Sequence, residues 1–446
     1  MKRVHAASAD SPERQQILPQ EPAALAALGG AGARLGMPRR PIGPHGPFRR
    51  AALWVEARQR PAGPNAPSLG EALERPTSRE RILALARWAP SGDNTQPWRF
   101  EMAGDSGIVV HGFDTRDRCV YDLDGHASQL SIGALLETIG LAASGERQRA
   151  SCTRRSGLPD TMPTFDIMLE PDPGGCPSPL IAFIPRRSVQ RRPMATRPLA
   201  AEEKKALEAA VGPAYGVLWI EGLSARLQAA RLMFANAKIR LTTPEAYRVH
   251  REIIEWNAGF SADRVPDRAV GLDFLSLRLM CIAMKSWRRV QFFNRFLAGT
   301  WLPRLELDWL PSLACAAHFA LLSQSEPTTV DDYVEAGRAL QRFWLTATRL
   351  GLSLQPEMTP LIFSRYVRQA RAFTSVAAAW RQAEMGERRL RRLLGNEAAP
   401  RTVFMGRIGA GPTPVWRSLR RPLAELVIRR AASLPARTPP PSGGGS

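Results

Sequence analysis

Two polar segments of the chain carry the side chains best suited to bind a ligand, and the first is the loop at residues 89–100. Its sequence, APSGDNTQPWRF, places Asn94 and a glutamine beside Pro90 and a tryptophan. Amide side chains both donate and accept hydrogen bonds, which suits the uracil-like edge of a flavin. The alternative is an ordinary helix-to-strand turn, because Pro90 would end the preceding helix and Asn94 could cap the turn. Composition by itself favours the turn.

The second segment, PRRSVQRRPM at residues 185–194, concentrates guanidinium groups. Together with the hydroxyl of Ser188, such groups can converge on a phosphate dianion, which takes charge-assisted and often bidentate hydrogen bonds. The alternative is a solvated run of positive charge. The residues of this segment are compatible with both interpretations.

Several other chemistries leave no signature in the sequence. The patterns GxSxG, HExxH and GxxxxGKS/T are absent, and the five cysteines lie at least 24 positions apart, so there is no CxxC pair. The six histidines are scattered, and no metal site is expected. The glycines of GRIGAG at 406–411 have the wrong spacing for a dinucleotide-binding turn. DLDG at 122–125 is interpreted as a turn and not as a calcium loop.

Four segments together resemble the nitroreductase family of flavin-dependent oxidoreductases. Ala-Pro-Ser-x-x-Asn-x-Gln-Pro-Trp at 89–98 resembles the central motif of that family, and the Arg-rich segment resembles the one that binds flavin phosphate. GLSLQP at 351–356 is similar to the turn near the flavin N5 atom. VFMGRIG at 403–409, continuing to RRPL at 420–423, is similar to the closing strand and arm. The resemblance spans about residues 68–426.

The resemblance implies an enzyme that uses FMN as cofactor and NAD(P)H as co-substrate to reduce a small-molecule acceptor. Flavin N5 would carry the hydride, so no catalytic side chain is assigned, and the protein would mainly position and tune the cofactor. Pro90, Ser91 and Asn94 would contact the isoalloxazine. The backbone near Gln355 and Pro356 would face N5. The phosphate would be held by Arg187, Ser188 and Arg191, with Arg407 as a further candidate.

The Arg-rich segment departs from the usual family spacing. The strict pattern Arg-x-Ser-x-Arg would use Arg186 and Ser188 and then meet Gln190 in place of an arginine. The pattern of the longer members would use Arg187 and Arg191 instead. Which of Arg186 and Arg187 grips the phosphate therefore stays open.

The order of the motifs also departs from the family. In ordinary members the Arg-rich segment comes first, whereas here the Ala-Pro-Ser motif lies about ninety residues earlier. Since the family works as homodimers with flavin at the interface, a fused pseudo-dimer explains the inversion: module one at 67–180 lends its loop and module two at 181–426 holds the phosphate. One flavin per chain follows, in a pseudo-dimeric monomer or a homodimer. This layout is similar to the double-module branch of the family, which includes members labelled as molybdopterin biosynthesis proteins.

The elements that must position these segments are helices alternating with a few strands, which predicts a nitroreductase-like α+β fold. A helix pair broken at Pro76 is expected over 69–86, and strands at 107–112 and 178–184. The clearest helix begins at Thr329, where Asp332 completes a capping box, and runs to residue 350. Further expected elements are helices at 130–143 and 200–210 and a buried strand or short core helix at 313–322.

The formal charge of +20 is concentrated at the two ends of the chain. Residues 1–66 are rich in Pro, Gly, Ala and Arg and are expected to be disordered, and 427–446 are expected to form a flexible tail. No aromatic residues interleave with the basic runs, so nucleic acid is not an expected partner. The absence of a long apolar stretch and of an apolar leader predicts a cytoplasmic protein with no membrane partner.

A helical insert at 244–305 separates two interpretations of function. It carries eight Trp and Phe residues, more than a connector needs, and would roof the substrate side of the flavin. If this roof opens, NAD(P)H can reach the flavin and the protein is an enzyme. If it closes permanently, the protein is a non-catalytic flavin-binding or flavin-sequestering protein. A basic adaptor without a cofactor is a third interpretation.

Overall fold

Two antiparallel four-stranded sheets organise the part of the chain that the computed structural model describes, residues 76–297 and 299–428. The predicted disorder at 1–66, the start of the predicted helix pair and the tail beyond 428 lie outside the described residues. Within them, helices combine with antiparallel sheets, as the α+β class requires.

The first sheet is built from residues 98–171 and has the strand order β1-β2-β4-β3. A capping box of Thr77 and Glu80 starts the helix that precedes it. A long helix with a broad buried face separates the two strand pairs and packs against the sheet. The elements are α1 (Ser78–Ala86), β1 (Trp98–Ala103), β2 (Gly107–Gly112), α2 (His126–Gly145), β3 (Gln148–Arg154) and β4 (Thr164–Pro171).

The second sheet is built from residues 215–410 and has the strand order β10-β11-β9-β5. The insert lies between its first two strands, and three helices precede its last strand. The elements outside the insert are α3 (Ala201–Val211), β5 (Tyr215–Ile220), α4 (Gly222–Thr242), α9 (Leu310–Leu313), β9 (Ala317–Ser323), α10 (Val330–Arg349), β10 (Leu352–Pro356), α11 (Thr359–Arg368), α12 (Ala377–Leu394), α13 (Ala398–Arg401) and β11 (Thr402–Ala410).

The two halves repeat one topology. Each has a helix, two strands, a 20-residue helix and two more strands, and in each sheet the strands are ordered first, second, fourth, third. The two long helices, α2 and α10, cross at Gly133 and Gly337, which are the eighth residues of their respective helices. A Cβ atom on either glycine would collide with a backbone carbonyl oxygen of the opposite helix. Close helix packing therefore joins the two halves.

The insert contains four helices and three two-residue strands. Its β7 pairs in parallel with β12, which belongs to the arm that follows β11. The elements are α5 (Pro244–Ile253), β6 (Ile254–Glu255), β7 (Phe260–Ser261), β8 (Val265–Pro266), α6 (Phe274–Ala283), α7 (Trp287–Phe296) and α8 (Trp301–Arg304), and the arm adds β12 (Arg417–Ser418) and α14 (Leu423–Leu426).

Most local predictions are confirmed within the described ranges. The helices expected at 130–143, 200–210 and 329–350 are present, and the capping box of Thr329 and Asp332 is formed. The strand expected at 178–184 is wrong, because the segment forms a short 3₁₀ turn over Ile181–Phe183. Proline residues precede and follow this apolar run and remove donors that a strand would need, while Ile184 is buried against Trp88.

The first sheet also has a partner at the end of the described chain, beyond the predicted end of module two at 426. Val427 bridges Phe100 of β1, and the N–H of Ile428 donates to the Phe100 carbonyl at 2.7 Å. The chain thus stays paired with the first sheet through residue 428. Across the described ranges, none of the helices is long and apolar enough to cross a membrane.

Candidate functional site

A cavity of about 340 Å³ is lined by side chains from both halves of the chain. The loop after α1 and the start of α2 contribute from the first half, and the Arg-rich segment, β10, α10 and the arm contribute from the second. Eight of the nine side chains expected to bind the cofactor lie on its wall. They are Pro90, Ser91, Asn94, Arg187, Ser188, Arg191, Gln355 and Pro356.

The loop that follows α1 reaches the cavity through an unusual backbone conformation. Asp93, Asn94 and Gln96 all have positive φ angles, of 50°, 62° and 49°. Such angles are uncommon outside glycine and persist where the surroundings hold them in place. Here Ser91 accepts a hydrogen bond from the Gln96 N–H at 3.0 Å, which closes the turn. The strained loop directs Asp93 and Asn94 to the cavity wall.

Gln96 holds this loop and does not line the cavity. Its side-chain amide donates to the carbonyl of Ala262 at 2.9 Å and to that of Asn94 at 3.1 Å. Its side-chain oxygen accepts from the N–H of Arg421 at 2.9 Å. The fully buried glutamine therefore joins the loop, the insert and the arm. The two amides of the sequence motif have different roles, since only Asn94 faces the cavity.

The Arg-rich segment pairs with β10 over a short stretch. Val189 bridges Leu354 in parallel, and the N–H of Gln190 donates to the Leu354 carbonyl at 3.0 Å. This pairing places Arg187 and Ser188 on the cavity wall and leaves Arg186 exposed outside it. Of the two arginines that the sequence left open, Arg187 is the one that the fold brings to the cavity.

Two arginines of the arm join Arg187 on the cavity wall, and together these three residues form what we call the arginine triad: Arg187, Arg417 and Arg420. Backbone carbonyls hold them in place. Arg187 donates to the Trp88 carbonyl at 3.1 Å and Arg420 to the Ala89 carbonyl at 3.0 Å. Arg417 donates to the carbonyl of Arg187 at 3.0 Å.

The charge of the arginine triad is not neutralised by any carboxylate of the described chain within salt-bridge distance. Burial, together with the charges of Arg420 and Arg417, holds the pKa of Arg187 well below its usual range. Burial and the neighbouring arginines also lower the pKa of Arg420, to about 9. Buried charges are normally paired, so this arrangement favours an anion as the missing partner.

Unsatisfied polar atoms mark the same cavity. Five buried atoms on its lining residues have no hydrogen-bond partner: Nε of Arg187, Nε of Arg240, Nε of Arg417, Oδ1 of Asn94 and Oε1 of Gln355. Buried polar atoms are usually paired, so these atoms are available to bind a ligand in the cavity. The Nε–H donors of Arg187 and Arg417 suit the anionic end of a ligand. The amide oxygens of Asn94 and Gln355 suit a polar end that donates hydrogen bonds.

Titratable groups also line the cavity, among them Asp93, Tyr121 and His250. Desolvation raises the pKa of the half-buried Asp93 to about 6, and the nearby charge of Arg191 opposes that shift. Tyr121 and His250 share a hydrogen bond of 2.9 Å, and desolvation lowers the pKa of His250 to about 3, so its imidazole is neutral. These groups therefore give the cavity a neutral imidazole and one carboxyl group that titrates close to neutrality.

Arg407 was expected to help bind phosphate, and the structure places its side chain outside the lining of the cavity. Its side chain is buried, does not line the cavity, and donates to Glu357 at 3.4 Å and to the Arg191 carbonyl at 2.7 Å. His318 approaches the other oxygen of Glu357 at 2.7 Å. The position of Arg407 on β11, one strand further into the sheet than β10, turns it toward this ion-pair network.

The expected role of the insert is also corrected. Of its residues, His250 and Val265 line the cavity, whereas none of its tryptophan or phenylalanine side chains does. The insert contributes mainly by backbone contacts, because the carbonyls of Ala262 and Arg264 accept hydrogen bonds from Gln96 and Asn94. It supports the loop at 91–96 and does not cover the cavity with aromatic rings.

Arg417 and Arg420 are the cavity-lining arginines that sequence reasoning missed. Arg420 lies in the segment that resembles the family's arm, so its position carried a signal, but no local pattern singles out Arg417. Trp344 of α10 also lines the cavity, with its ring centroid 4.6 Å from the guanidinium carbon of Arg187. Over residues 76–297 and 299–428, no group of three His, Cys, Asp or Glu side chains is placed to hold a metal ion.

Comparisons with known proteins give low-identity relatives, and no protein-family model matches the chain. It is 25% identical over 305 residues to a protein of Mycobacterium tuberculosis named "Uncharacterized protein", in an alignment that covers 67% of this chain and 41% of that protein. It is 29% identical over 282 residues to a "Putative NAD(P)H nitroreductase" of the same organism, covering 63% of this chain and 76% of that protein. This chain thus spans less than half the length of the first relative and about three quarters of the second.

Two solved structures were also matched. A nitroreductase-like family protein from Bacillus cereus shares 11% identity, with a TM-score of 0.28, over 56% of this chain and 94% of that chain. The FMN-dependent nitroreductase NfnB from Mycobacterium smegmatis, in complex with NADPH, shares 15% identity, with a TM-score of 0.29, over 56% and 96%.

Proposed function

We propose that this protein is a flavin-dependent oxidoreductase of the nitroreductase family that binds one FMN in the cavity between its two halves. Reducing equivalents would come from NADH or NADPH, and a small organic molecule would accept them. When bound, FMN would supply the centre that accepts and donates hydride. The tasks left to the chain are to bind the cofactor, to orient it and to keep the cavity open to both substrates.

The observation that carries this proposal is the arginine triad. Three guanidinium groups share one cavity wall, backbone carbonyls fix them, and no described carboxylate pairs with them. A phosphate dianion would neutralise this charge and accept hydrogen bonds from the free Nε atoms of Arg187 and Arg417. Ser188 on the same wall can add a hydroxyl donor.

The amide acceptors support a flavin at the other end of the molecule. The unpaired side-chain oxygens of Asn94 and Gln355 can accept hydrogen bonds from a ring N–H, as in the uracil-like edge of a flavin. The strained loop that carries Asn94 is locked by Gln96, so Asn94 is held in place before a ligand arrives. Preorganisation of this kind lowers the entropic cost of binding.

The repeated topology supports the further proposal that the chain is a fused pseudo-dimer, with modules at 67–180 and 181–426. Both sheets have the same strand order, and the two long helices cross at equivalent glycines. The Ala-Pro-Ser loop comes from the first module, and the Arg-rich segment and arm come from the second. Each module therefore supplies a different part of one site, which accounts for one flavin per chain.

The relative named as an NAD(P)H nitroreductase supports the choice of nicotinamide as the reductant. The lining residues are compatible with many small organic acceptors, and none of them is specific for a molybdopterin precursor. Asp93, whose pKa is raised to about 6 by desolvation, can donate or take up a proton at the cavity, which suits reductions in which a proton accompanies the hydride.

The test is the visible spectrum of the purified full-length protein, with and without added FMN. We expect a flavin spectrum, release of FMN at one equivalent per chain, anaerobic bleaching by NADPH or NADH, and recovery of colour on adding a nitroaromatic or a quinone. A protein that is colourless and takes up no FMN would overturn the proposal.

The same experiment separates the sequestration alternative. Bound FMN that neither nucleotide bleaches would indicate a flavin store. That alternative depended on an aromatic plug in the insert, and the aromatic side chains of the insert do not line the cavity.

A further inference from the structure

The hairpin of α6 and α7 in the insert presents large apolar side chains to solvent. Phe274 is 78% exposed and Phe296 is 64% exposed, and Phe292 lies beside Phe296 with ring centroids 5.1 Å apart. Solvent-exposed apolar side chains of this size are normal singly but mark an interaction site when they form a patch. We call the patch the insert face. Its apolar members are Phe274, Leu275, Leu279, Ile282, Phe292, Phe296, Leu297 and Trp301.

The insert face belongs neither to the core nor to the cavity. Helix α7 buries none of its residues, and α6 buries only Ser276. None of the members of the insert face lines the cavity at the arginine triad. Its apolar residues therefore need a partner that the flavin site does not supply.

The charge on the insert face has one sign. Between Phe274 and Leu305 the sequence has six Lys and Arg residues and no Asp or Glu. The exposed members of this set are Arg278, Lys285, Arg288, Arg289 and Arg295.

The cations and the apolar residues are interleaved on the same surface. On α7, Arg288, Phe292 and Arg295 follow one another at helical spacing and are all exposed. On α6, Leu275, Arg278 and Ile282 do the same. Apolar side chains flanked by Lys and Arg are the composition of helices that lie in a membrane interface.

Hydrogen bonds at the back of the hairpin hold the insert face in a fixed orientation. Tyr247 donates to the carbonyl of Met284, between α6 and α7, at 3.2 Å. Asn294 donates to the carbonyl of Leu241 at 2.7 Å. Ser276 donates to Glu306 at 2.6 Å. The hairpin is thus anchored to α4 and α5 on one side while its basic, apolar side stays open.

We propose that the insert face binds the anionic surface of a lipid bilayer, with α6 and α7 lying in the interface and no segment crossing it. Phosphate headgroups match the unbroken positive charge, and the acyl boundary takes up the Phe, Leu and Ile side chains. This proposal departs from the expectation, made from the sequence, of no membrane partner, because that expectation rested on the absence of a spanning segment.

Charge complementarity distinguishes a bilayer from the other occupants. A second copy docked face to face would bring two cationic surfaces together, which is repulsive. The chain's own residues outside the described ranges are also net basic, since residues 1–60 carry ten Lys and Arg against four Asp and Glu. Neither occupant neutralises the insert face.

The test is cosedimentation of the full-length protein with vesicles of phosphatidylcholine alone and of phosphatidylcholine mixed in equal parts with phosphatidylglycerol. We expect binding to the mixed vesicles that weakens at high salt, because exposed charges are then screened. Each basic residue near an anionic surface contributes a factor of about five, so Arg288→Gln, Arg289→Gln and Arg295→Gln together should lower the partition coefficient about 100-fold. The pair Phe292→Ser and Phe296→Ser should lower it by a factor on the order of 10 per side chain.

A matched control separates the insert face from general basicity. Arg388, Arg389 and Arg392 are exposed on α12, away from the apolar patch, and their replacement by Gln removes the same charge. We expect this triple variant to bind as the unmodified protein does. Equal losses in the two triple variants, or binding that neither the Arg nor the Phe changes alter, would overturn the proposal and assign binding to the basic termini.

Two further readouts complete the test. Absence of binding to mixed vesicles, with a dimer in sedimentation velocity that Phe292→Ser and Phe296→Ser dissociates, would overturn the proposal and make the insert face a contact between copies. Circular dichroism and FMN content of every variant should match the unmodified protein. Failure of vesicle binding is therefore distinguishable from failure of the flavin proposal.

Discussion

Two groups of buried arginine lie close together in this protein and have opposite electrostatic environments. Arg407 shares Glu357 with His318, so its charge is paired with a carboxylate inside the fold, and we call these three residues the balanced cluster. The arginine triad is held by backbone carbonyls, and no carboxylate among the described residues balances it. A balanced buried charge stabilises the fold, whereas an unbalanced one is costly until an anion arrives. The difference is the reason for proposing that the arginine triad, and not Arg407, binds the ligand.

The carboxyl groups near the two clusters show the same contrast. Burial alone would raise the pKa of Glu357, but the charges of His318 and Arg407 lower it overall. Desolvation raises the pKa of Asp93 to about 6, because Arg191 only partly offsets it. The first carboxyl is therefore a permanent anion, and the second can gain or lose a proton near neutral pH.

The largest effect on stability is expected when the carboxylate of Glu357 is removed from the balanced cluster. Glu357→Gln leaves the charges of His318 and Arg407 buried without a counter-charge, and we expect the free energy of unfolding to fall by about 3–5 kcal/mol. Urea unfolding of the flavin-free protein measures it. As the control, Glu170→Gln breaks an exposed pair with Arg149 and should change the free energy by less than about 1 kcal/mol. Similar losses in both variants would contradict the prediction.

The second prediction concerns the arginine triad. Arg187→Met removes one cation and keeps the volume packed on Trp344. Truncating one side of a buried charged pair costs about 2–5 kcal/mol, so FMN affinity should fall by a factor on the order of 30 or more. Fluorescence titration with FMN measures it, and Arg186→Met is the control, because Arg186 is exposed outside the cavity.

The variants Arg187→Met and Glu357→Gln should change the stability of the flavin-free protein in different directions. Without flavin, Arg187→Met relieves repulsion within the arginine triad, so the apo protein should be as stable as the unmodified one or more stable. This is opposite to the effect of Glu357→Gln. If both changes destabilise the flavin-free protein to the same extent, a counter-charge must already neutralise the arginine triad. That outcome would contradict the prediction.

The third prediction uses the pH dependence of the balanced cluster. Desolvation opposes protonation of His318, but the charge of Glu357 raises its pKa to about 10. The folded protein then binds more protons than the unfolded chain between pH 6.5 and 10, so the stabilisation is complete below this window and is lost as pH rises through it. We expect a loss of a few kcal/mol over this window. In urea unfolding over this range, the free energy of unfolding should change less with pH for His318→Gln than for the unmodified protein. The same pH dependence in both proteins would contradict the prediction.

The smallest expected effect belongs to Asp93. Its pKa is about 6 in the folded protein and 3.8 in the absence of burial, so folding takes up a proton between these values. The free energy of unfolding should fall as pH rises through this window, and the cost persists above it. Asp93→Asn should remove the cost and raise stability at pH above 7 by about 1–3 kcal/mol, with little effect near pH 4. Thermal unfolding at several pH values measures it.

The control for this last prediction is Asp105→Asn, at an exposed turn outside the cavity. It should leave the pH profile unchanged. A profile that shifts equally in both variants would mean that general surface charge, and not the burial of Asp93, sets the pH dependence.

Local features of the sequence determined the elements and the two polar segments. The capping box of Thr329 and Asp332 predicted where α10 begins, because the hydrogen bonds of a cap join residues three positions apart. The helix at 200–210 and the strand at 107–112 followed from patterns of equally short range. The loop at 89–100 and the segment at 185–194 stood out because their side chains suit a polar, anionic ligand whatever the fold.

Only the tertiary structure decided which arginines face the ligand. Arg417 meets the backbone of Arg187 across 230 positions of sequence, and Arg420 meets that of Ala89 across 331. Arg407 lies in a segment that resembles a flavin-binding family, yet its guanidinium group pairs with Glu357, which is 50 positions away in the sequence. Whether a guanidinium group binds a ligand or a carboxylate depends on its nearest counter-charge in space. That distance is set by how the sheets, the insert and the arm pack, and no local pattern in the chain contains it.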